Sequence, residues 1–175
     1  MRVIGGEFRS RRLKSIPGLD TRPTPDRLRE TLFDILGSRI EGAVFLDAYA
    51  GTGAVGIEAL SRGAARVIFI ERSKRAAKVI QENLASLGVG DRAQLVNASA
   101  ASSVAGHNVD IVFLDPPYEL ETEYATALNA LGADPPASVI VQHSARLRLT
   151  ECFGSLHKTR TLQQGDNALT FYGPQ

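Results

Sequence analysis

The sequence lacks the features that usually cross-link a small protein. Its 175 residues include a single cysteine, Cys152, which excludes an internal disulfide. The three histidines are scattered, and no group of cysteines and histidines has the spacing of a zinc site, so we expect no bound metal. A chain of this length buries roughly two thirds of its unfolded surface, which is enough to fold without such cross-links.

Long apolar runs are also missing. A membrane-spanning helix needs roughly 20 consecutive apolar residues, and no stretch of the sequence approaches that length. The N-terminus has no apolar signal-peptide core. We therefore expect a soluble, cytoplasmic protein that does not enter a membrane. No feature of the sequence specifies an oligomer, so a monomer is expected.

Charge is nearly balanced overall but unevenly distributed. The formal net charge is +1, yet residues 1–29 hold eight Lys or Arg against three acids, and the remainder holds 12 bases against 16 acids. A basic segment before a mildly acidic body is typical of a protein that contacts a polyanion, although a solvated terminus has the same composition. Apolar and basic residues alternate around Gly5 and Gly6, which predicts a hairpin or an extended arm. We expect a basic N-terminal arm over 1–22 and the main domain over 23–175.

Hydrophobic periodicity after the arm predicts alternating strands and helices. Thr24 and Pro25 are suited to begin a helix whose apolar residues recur at helical spacing. Short apolar runs predict seven strands, at 43–47, 66–71, 93–97, 110–115, 138–142, 156–162 and 168–172. Helical crossovers predict a parallel, doubly wound sheet, and the short link between the last two strands predicts an antiparallel pair. The expected fold is α/β and Rossmann-like, with a seven-stranded, mostly parallel sheet.

A glycine-rich loop after the first strand is the first candidate ligand site. Residues 51–56, GTGAVG, fit the GxGxxG pattern, and Glu71 follows the next strand about 20 residues later. In dinucleotide sites the glycines follow the strand directly, whereas here Asp47 ends the strand and residues 48–50 intervene. A carboxylate at this position would repel a pyrophosphate and attract an ammonium or sulfonium. S-adenosylmethionine carries both cations and no phosphate, so the loop favours this donor over NAD.

The fourth strand ends in Asp115-Pro116-Pro117-Tyr118. Prolines cannot continue a strand ladder, so the strand stops where a carboxylate, a carbonyl and an aromatic ring lie close together. This strand end and the glycine loop face the same crevice in a doubly wound sheet. Asp115 and the Pro116 carbonyl could accept hydrogen bonds from a planar amine and direct its lone pair at a methyl group, while Tyr118 stacks on the ring that bears the amine. A stiff proline turn without function is the alternative.

These motifs together resemble a known family. Similarity to the RsmD family of class I S-adenosylmethionine-dependent methyltransferases covers essentially the whole chain and is carried by MRVIGGEFRSRRL, TRPTPDRLRETLFDIL, LDAYAGTGAVGIEALSRGA, VFLDPPY and GDNALTFY. The resemblance implies methylation of the N2 amine of one guanine in small-subunit (16S) ribosomal RNA. It also implies that the substrate is a ribonucleoprotein, the assembling small subunit.

The resemblance also implies roles for individual residues. The methionine end of S-adenosylmethionine would be lined by Asp47, Tyr49, Gly51 and Gly53. Glu71 would hold the ribose, and Arg72 would lie by the adenine. The target base would be oriented by Asp115, Pro116 and Tyr118. RNA would be contacted by Arg9, Arg11, Arg12, Arg22 and Arg27.

The sequence departs from the family pattern at three places. Ser99 stands where many relatives have Asp or Asn within reach of the adenine amine, so the backbone N–H of Ala100 is expected to share this contact. Ser10 stands where the arm often has glycine. The fifth strand, VIVQHS, lacks the acid expected at its end.

Other functions remain open at this point. An adenine-N6 nucleic-acid methyltransferase or a glutamine-N5 protein methyltransferase would use the same DPPY site, although the basic arm argues against a purely protein substrate. An NAD-dependent oxidoreductase would need a hydride-transfer acid that the sequence does not supply. A non-catalytic RNA-binding factor would not need Asp115 or Glu71. His143, at the end of the fifth strand, is a weaker candidate for a role in the crevice.

Overall fold

A computed structural model describes residues 1–16 and 24–175. Its central sheet contains eight strands in the order β3-β2-β1-β4-β5-β8-β7-β6. Strands β1 to β5 run parallel, β8 is antiparallel to both β5 and β7, and β6 is antiparallel to β7. The strands are Val44–Asp47, Arg66–Ile70, Ala93–Val96, Ile111–Leu114, Ser138–Ser144, Cys152–Phe153, Leu156–Gln164 and Asn167–Pro174.

Five α-helices cover the two faces of the sheet. They are α1 Asp26–Leu36, α2 Ala54–Ser61, α3 Lys74–Leu87, α4 Ala100–Ser103 and α5 Glu121–Gly132. Side chains of α1, α2 and α3 share one apolar cluster with one face of the sheet. Side chains of α4 and α5 share a second cluster with the other face. This is the Rossmann-like α/β fold that the sequence predicts, and none of the helices among the described residues is long and apolar enough to span a bilayer.

The prediction of seven strands was one short. The additional strand, Cys152–Phe153, pairs with the start of β7 at the edge of the sheet. A strand is recognised in a sequence from apolar and polar residues that alternate over at least four positions. A strand of two residues is too short to show this pattern. The predicted antiparallel pair at the C-terminus is confirmed as β7 and β8.

The start of α1 also differs from the prediction. The helix begins at Asp26, and the preceding Pro25 provides no side-chain cap. Thr24, which was expected to cap the helix, lies with its hydroxyl Oγ1 3.4 Å from the Asp115 carboxylate oxygen Oδ2. The Ser73 side chain caps α3, because its hydroxyl accepts a hydrogen bond from the Ala76 N–H.

Residues 1–16 form a hairpin that packs on the domain. Arg2 and Arg12 form an antiparallel bridge, and Val3 exchanges backbone hydrogen bonds with Arg11 and Ser10. Four apolar side chains of the hairpin are buried, namely Val3, Phe8, Leu13 and Ile16, and the first three join the first apolar cluster. The basic side chains therefore project from a packed hairpin rather than from a solvated terminus.

Ser10 occupies an unusual backbone conformation. Its φ of 69° makes it the one non-glycine residue with positive φ among the described residues. A side chain in this left-handed region costs roughly 1–2 kcal/mol, which glycine avoids. Glycine, which the family resemblance leads one to expect at this position, would avoid this strain.

Candidate active site

Parallel pairing brings four strand ends to one edge of the sheet. Asp47 at the end of β1 is in register with Phe69 of β2 and Phe113 of β4. The last pair between β4 and β5 is Leu114 with Val141, so the residues that follow them are also adjacent. The segments after these strands surround one cavity of about 700 Å³.

The cavity collects most of the residues that the sequence assigned to donor and base. These are Asp47, Tyr49, Gly51, Glu71, Arg72, Ser99, Ala100, Asp115, Pro116 and Tyr118. Gly53 is not among the residues that line it. Gly53 directly precedes α2 with a φ of 82°, a conformation that favours glycine, so it shapes the loop that the other residues occupy.

Helix α2 packs closely on the sheet because its residue Gly56, the third glycine of the motif, lies against Phe69 of β2. A Cβ atom at Gly56 would lie 2.3 Å from the Phe69 ring, so α2 could not pack this closely with any other residue there. The Gly56 N–H donates a hydrogen bond of 2.9 Å to the Asp47 carboxylate. The glycine motif therefore fixes the position of Asp47 at the base of the cavity.

Asp47 is a buried carboxyl group, with only 2% of its surface exposed. Burial raises its pKa to about 7, and the nearby negative charge of Glu71 adds to the increase, while the hydrogen bond from Gly56 opposes it. The site is therefore one where a bound cation would strongly favour the ionised carboxylate. This fits the ammonium group of S-adenosylmethionine.

We expect donor affinity to depend on this ionisation. The unfolded carboxyl has a pKa of about 3.9, so in the unbound protein Asp47 lowers stability progressively as the pH rises from about 4 through about 7. A ligand ammonium prefers the carboxylate, so affinity for S-adenosylhomocysteine should increase as the pH rises towards and through about 7, then level off. Isothermal titration at several pH values measures this.

An Asp47→Asn variant is the control for that titration. It should bind S-adenosylhomocysteine more weakly and lose the pH dependence near 7. Methylthioadenosine, which lacks the amino-acid moiety, should bind the unmodified protein without this dependence. A flat affinity for S-adenosylhomocysteine across the same pH range would show that Asp47 does not face the ammonium group.

Glu71 braces the glycine loop. One carboxylate oxygen accepts the Gly51 N–H at 2.8 Å, and the other accepts the Ser73 N–H at 2.7 Å. A carboxylate has about four acceptor positions, so two remain available to a ligand. The Asn97 amide donates to the carbonyls of Glu71 and Arg72, so it orders this segment, while Ser99 lines the cavity.

Tyr49 is held by a residue that the sequence analysis missed. Its hydroxyl donates a hydrogen bond of 2.7 Å to Glu123 in the first turn of α5. Burial and this acidic partner raise the Tyr49 pKa, so the hydroxyl stays protonated. Glu123 also lines the cavity, and its hydrogen bond to Tyr49 connects the loop after β1 to α5.

The DPPY segment is fixed by side chains on both sides. The buried Tyr124 hydroxyl donates to the Pro116 carbonyl at 3.3 Å, and the Tyr118 hydroxyl donates to the Asn167 side-chain oxygen at 2.8 Å. Burial, followed by the charge of Asp115, raises the Tyr124 pKa, so this hydroxyl remains a donor. A carbonyl has two lone pairs, so one remains on Pro116 for a substrate amine.

Sequence reasoning could not identify these supporting residues. Glu123 and Tyr124 look like an ordinary first helical turn, and Asn167 lies in a hairpin far along the chain. Their proximity to the DPPY segment depends on the packing of α5 and β8, which carries no local signal. Thr24 was noticed only as a helix cap.

The four described arginines that were assigned to RNA are not among the residues that line the cavity. Arg9, Arg11, Arg12 and Arg27 are exposed, and Arg11 donates a hydrogen bond to the Ser86 carbonyl. Arg22 lies outside the described residues. The arm nevertheless reaches the cavity, because its lining includes Met1, Ser15 and Ile16.

His143 is a core residue of β5. It is 3% exposed, and its ring nitrogens lie 2.8 Å from the Ser144 carbonyl and 2.8 Å from the Thr170 hydroxyl. Burial lowers its pKa, which favours the neutral ring. His143 is not among the cavity-lining residues, whereas its neighbour Gln142 is. Across the described ranges, no three His, Cys, Asp or Glu side chains are grouped so that they could hold a metal ion.

Comparison with known proteins agrees with this geometry. The model of the family described as "Conserved hypothetical protein 95" matches residues 1–173. The chain belongs to this family, the RsmD family of class I methyltransferases. The match to the family model spans both the arm and the core.

One relative is YlbH of Bacillus subtilis (strain 168), whose name describes a candidate rRNA methyltransferase. It is 33% identical to this chain over 181 residues, which cover 98% of each protein. Ribosomal RNA small subunit methyltransferase D of Escherichia coli (strain K12) is 47% identical over 122 residues, which span 67% of this chain and 60% of that protein. The solved structure of the Escherichia coli protein yhhF is 37% identical, with a TM-score of 0.85 over 100% of this chain and 98% of that one.

Proposed function

We propose that this protein transfers a methyl group from S-adenosylmethionine to the exocyclic N2 amine of a guanine in small-subunit ribosomal RNA. One observation carries the proposal: the donor loop and the DPPY segment line the same cavity. Relatives named for methylation of small-subunit ribosomal RNA support the substrate class. We further propose that the protein acts as a cytoplasmic monomer on the assembling small subunit.

The donor supplies an electrophilic methyl group on a sulfonium. The residues suited to hold it are Asp47 for the ammonium, Tyr49 and Gly51 along the methionine moiety, Glu71 for the ribose, and Arg72, Ser99 and Ala100 around the adenine. Gly53 would act through the shape of the loop. The buried carboxylate of Asp47 fits a cation better than a phosphate.

The target amine would be held by Asp115 and the Pro116 carbonyl. The lone pair of such an amine is delocalised into the base, which makes it a poor nucleophile. Two acceptors fix its N–H groups and favour a pyramidal nitrogen whose lone pair faces the methyl group. Tyr118, whose hydroxyl bonds to Asn167, would stack on the guanine after this base has turned out of the stacked RNA.

Methyl transfer followed by nucleoside analysis tests the proposal. Labelled S-adenosylmethionine is offered with total ribosomal RNA or with small subunits from a strain that lacks the protein. Label in N2-methylguanosine supports the proposal. Label in N6-methyladenosine would assign the same site to adenine, and label only in added protein would indicate a glutamine-N5 substrate.

We propose that residues 1–22 form the RNA-contacting arm and that residues 23–175 form the transferase domain. Changing Arg9, Arg11 and Arg12 together to glutamine should weaken RNA binding and lower the salt dependence of affinity, because fewer counterions are released. Each lost phosphate contact should reduce the slope of log K against log salt by about 0.7–0.9. Filter binding at several salt concentrations measures both quantities.

Arg66→Gln provides a matched control for the arm variant. Arg66 is exposed at the start of β2, at the opposite edge of the sheet from the cavity, and donates a hydrogen bond to Gln94. It should leave affinity and salt slope unchanged. The same result for the triple variant would exclude the arm as the RNA contact.

A further inference from the structure

Gln142 lines the cavity and carries a buried polar atom without a hydrogen-bond partner. The residue is 3% exposed and lines the cavity, yet its side-chain oxygen Oε1 has no hydrogen-bond partner among the described residues. A buried acceptor without a partner destabilises the folded protein, because the group has given up its hydrogen bonds to water. Such groups are therefore rare in folded proteins. At a ligand cavity, the missing partner is most simply a donor on the ligand.

The sheet places Gln142 beside Asp115. Leu114 of β4 pairs with Val141 of β5, and Asp115 and Gln142 are the next residues of the two segments. Neighbouring strands lie about 4.8 Å apart, and side chains alternate between faces. Both residues therefore share the face of Phe113 and Ile140, the same face that carries Asp47.

We propose that Gln142 Oε1 accepts a hydrogen bond from the ring N1–H of the guanine whose N2 amine is held by Asp115 and Pro116. This inference rests on the proposed function and deepens it, because it makes Gln142 a specificity-determining residue. Guanine presents N1–H and the N2 amine side by side. Adenine presents its amine beside an unprotonated ring N1, which is an acceptor. This nitrogen would face the Gln142 oxygen, a second acceptor, and no hydrogen bond could form between them.

The amide of Gln142 offers both an acceptor and a donor, so the test must separate the two. Gln142→Glu keeps an acceptor at this position and removes the NH₂ donor. Gln142→Met has similar length and removes both. If Gln142 acts as the acceptor, glutamate should preserve guanine methylation and methionine should impair it.

The experiment compares guanine with 2-aminopurine at the methylated position of reconstituted small subunits. 2-Aminopurine keeps the exocyclic amine but lacks the N1–H and the carbonyl oxygen on C6. We expect the unmodified protein to prefer guanine by at least about 10²-fold in kcat/KM, since the analogue leaves a buried acceptor unpaired. Gln142→Met should reduce this preference by about 10-fold to 100-fold, mainly through a slower reaction on guanine.

Three outcomes are decisive. The inference is supported if Gln142→Met loses the preference, Gln142→Glu keeps it, and both variants retain the thermal stability and S-adenosylhomocysteine affinity of the unmodified protein. It is overturned, while the proposed function stands, if Gln142→Met keeps the full preference or Gln142→Glu loses guanine methylation as methionine does. Absence of N2 methylation by the unmodified protein would refute the proposed function and this inference together.

Discussion

Asp115→Ala should abolish methyl transfer and leave donor binding largely unchanged. Asp115 lines the cavity at the end of β4, whereas the buried carboxylate suited to the donor ammonium is Asp47. Removing one preorganised hydrogen-bonding group from a reacting centre typically costs about 10²-fold to 10³-fold in rate, and the loss of charge at Asp115 adds to this. Single-turnover methylation and S-adenosylhomocysteine titration measure the two effects separately.

Two further variants test whether the charge of Asp115 contributes and whether the effect is specific to this position. Asp115→Asn keeps one acceptor oxygen and loses the charge, so its rate should lie between those of the unmodified protein and Asp115→Ala. Asp134→Ala removes an exposed carboxylate after the end of α5 and should leave the rate unchanged. Methylation that survives in Asp115→Ala would exclude Asp115 as the amine acceptor.

Local patterns were sufficient to predict the elements that position the site. Strands β1 to β5 are short and largely apolar, and each was predicted to within two residues. In a parallel sheet, once the strand order follows the doubly wound rule, the residues after β1, β2 and β4 must meet at one edge. For this reason Asp47, Glu71 and Asp115 could be placed in one crevice from the sequence alone.

The residues that hold this crevice in shape could not be predicted in the same way. Tyr49 with Glu123, and Pro116 with Tyr124, are pairs joined by the packing of α5 on the sheet. No spacing rule links a glycine loop to a helix that begins some 70 residues later. The unpartnered oxygen of Gln142 likewise depends on burial, which one sequence without its fold does not reveal.

Charge counting in the N-terminal segment was misleading for the same reason. Arg29 was counted with the basic residues that face a polyanion, yet its side chain is fully buried under the hairpin. It donates hydrogen bonds to the Arg2 carbonyl at 2.7 Å and to the Asp26 carboxylate at 3.0 Å. Burial lowers the pKa of Arg29, and the nearby carboxylates of Glu58 and Asp26 oppose that decrease. Its positive charge therefore serves the fold rather than the surface.

Glu58→Ala should destabilise the protein strongly. The Glu58 carboxylate is fully buried, accepts the N–H groups of Ile4 and Gly5 at 2.8 Å each, and pairs with Arg62 at 2.8 Å. The Glu58 oxygen Oε2 also lies 4.0 Å from Arg29 Nε. This nitrogen has no hydrogen-bond partner among the described residues. Alanine would leave the buried Arg29 with the half-exposed Asp26 as its remaining carboxylate partner, and removal of one member of a buried pair typically costs about 3–5 kcal/mol.

Urea denaturation with a matched control measures this cost. Glu30→Ala, which removes an exposed carboxylate from α1, should change the free energy of unfolding by less than about 0.5 kcal/mol. Glu58→Gln keeps one acceptor oxygen and loses the charge, so it can accept only one of the two hairpin N–H groups, and its cost should be intermediate. Limited proteolysis should also cleave within residues 1–16 sooner in Glu58→Ala, because two of the hydrogen bonds that hold the hairpin are lost. A cost for Glu58→Ala as small as that for Glu30→Ala would mean that apolar packing, and not this buried carboxylate, secures the hairpin to α2.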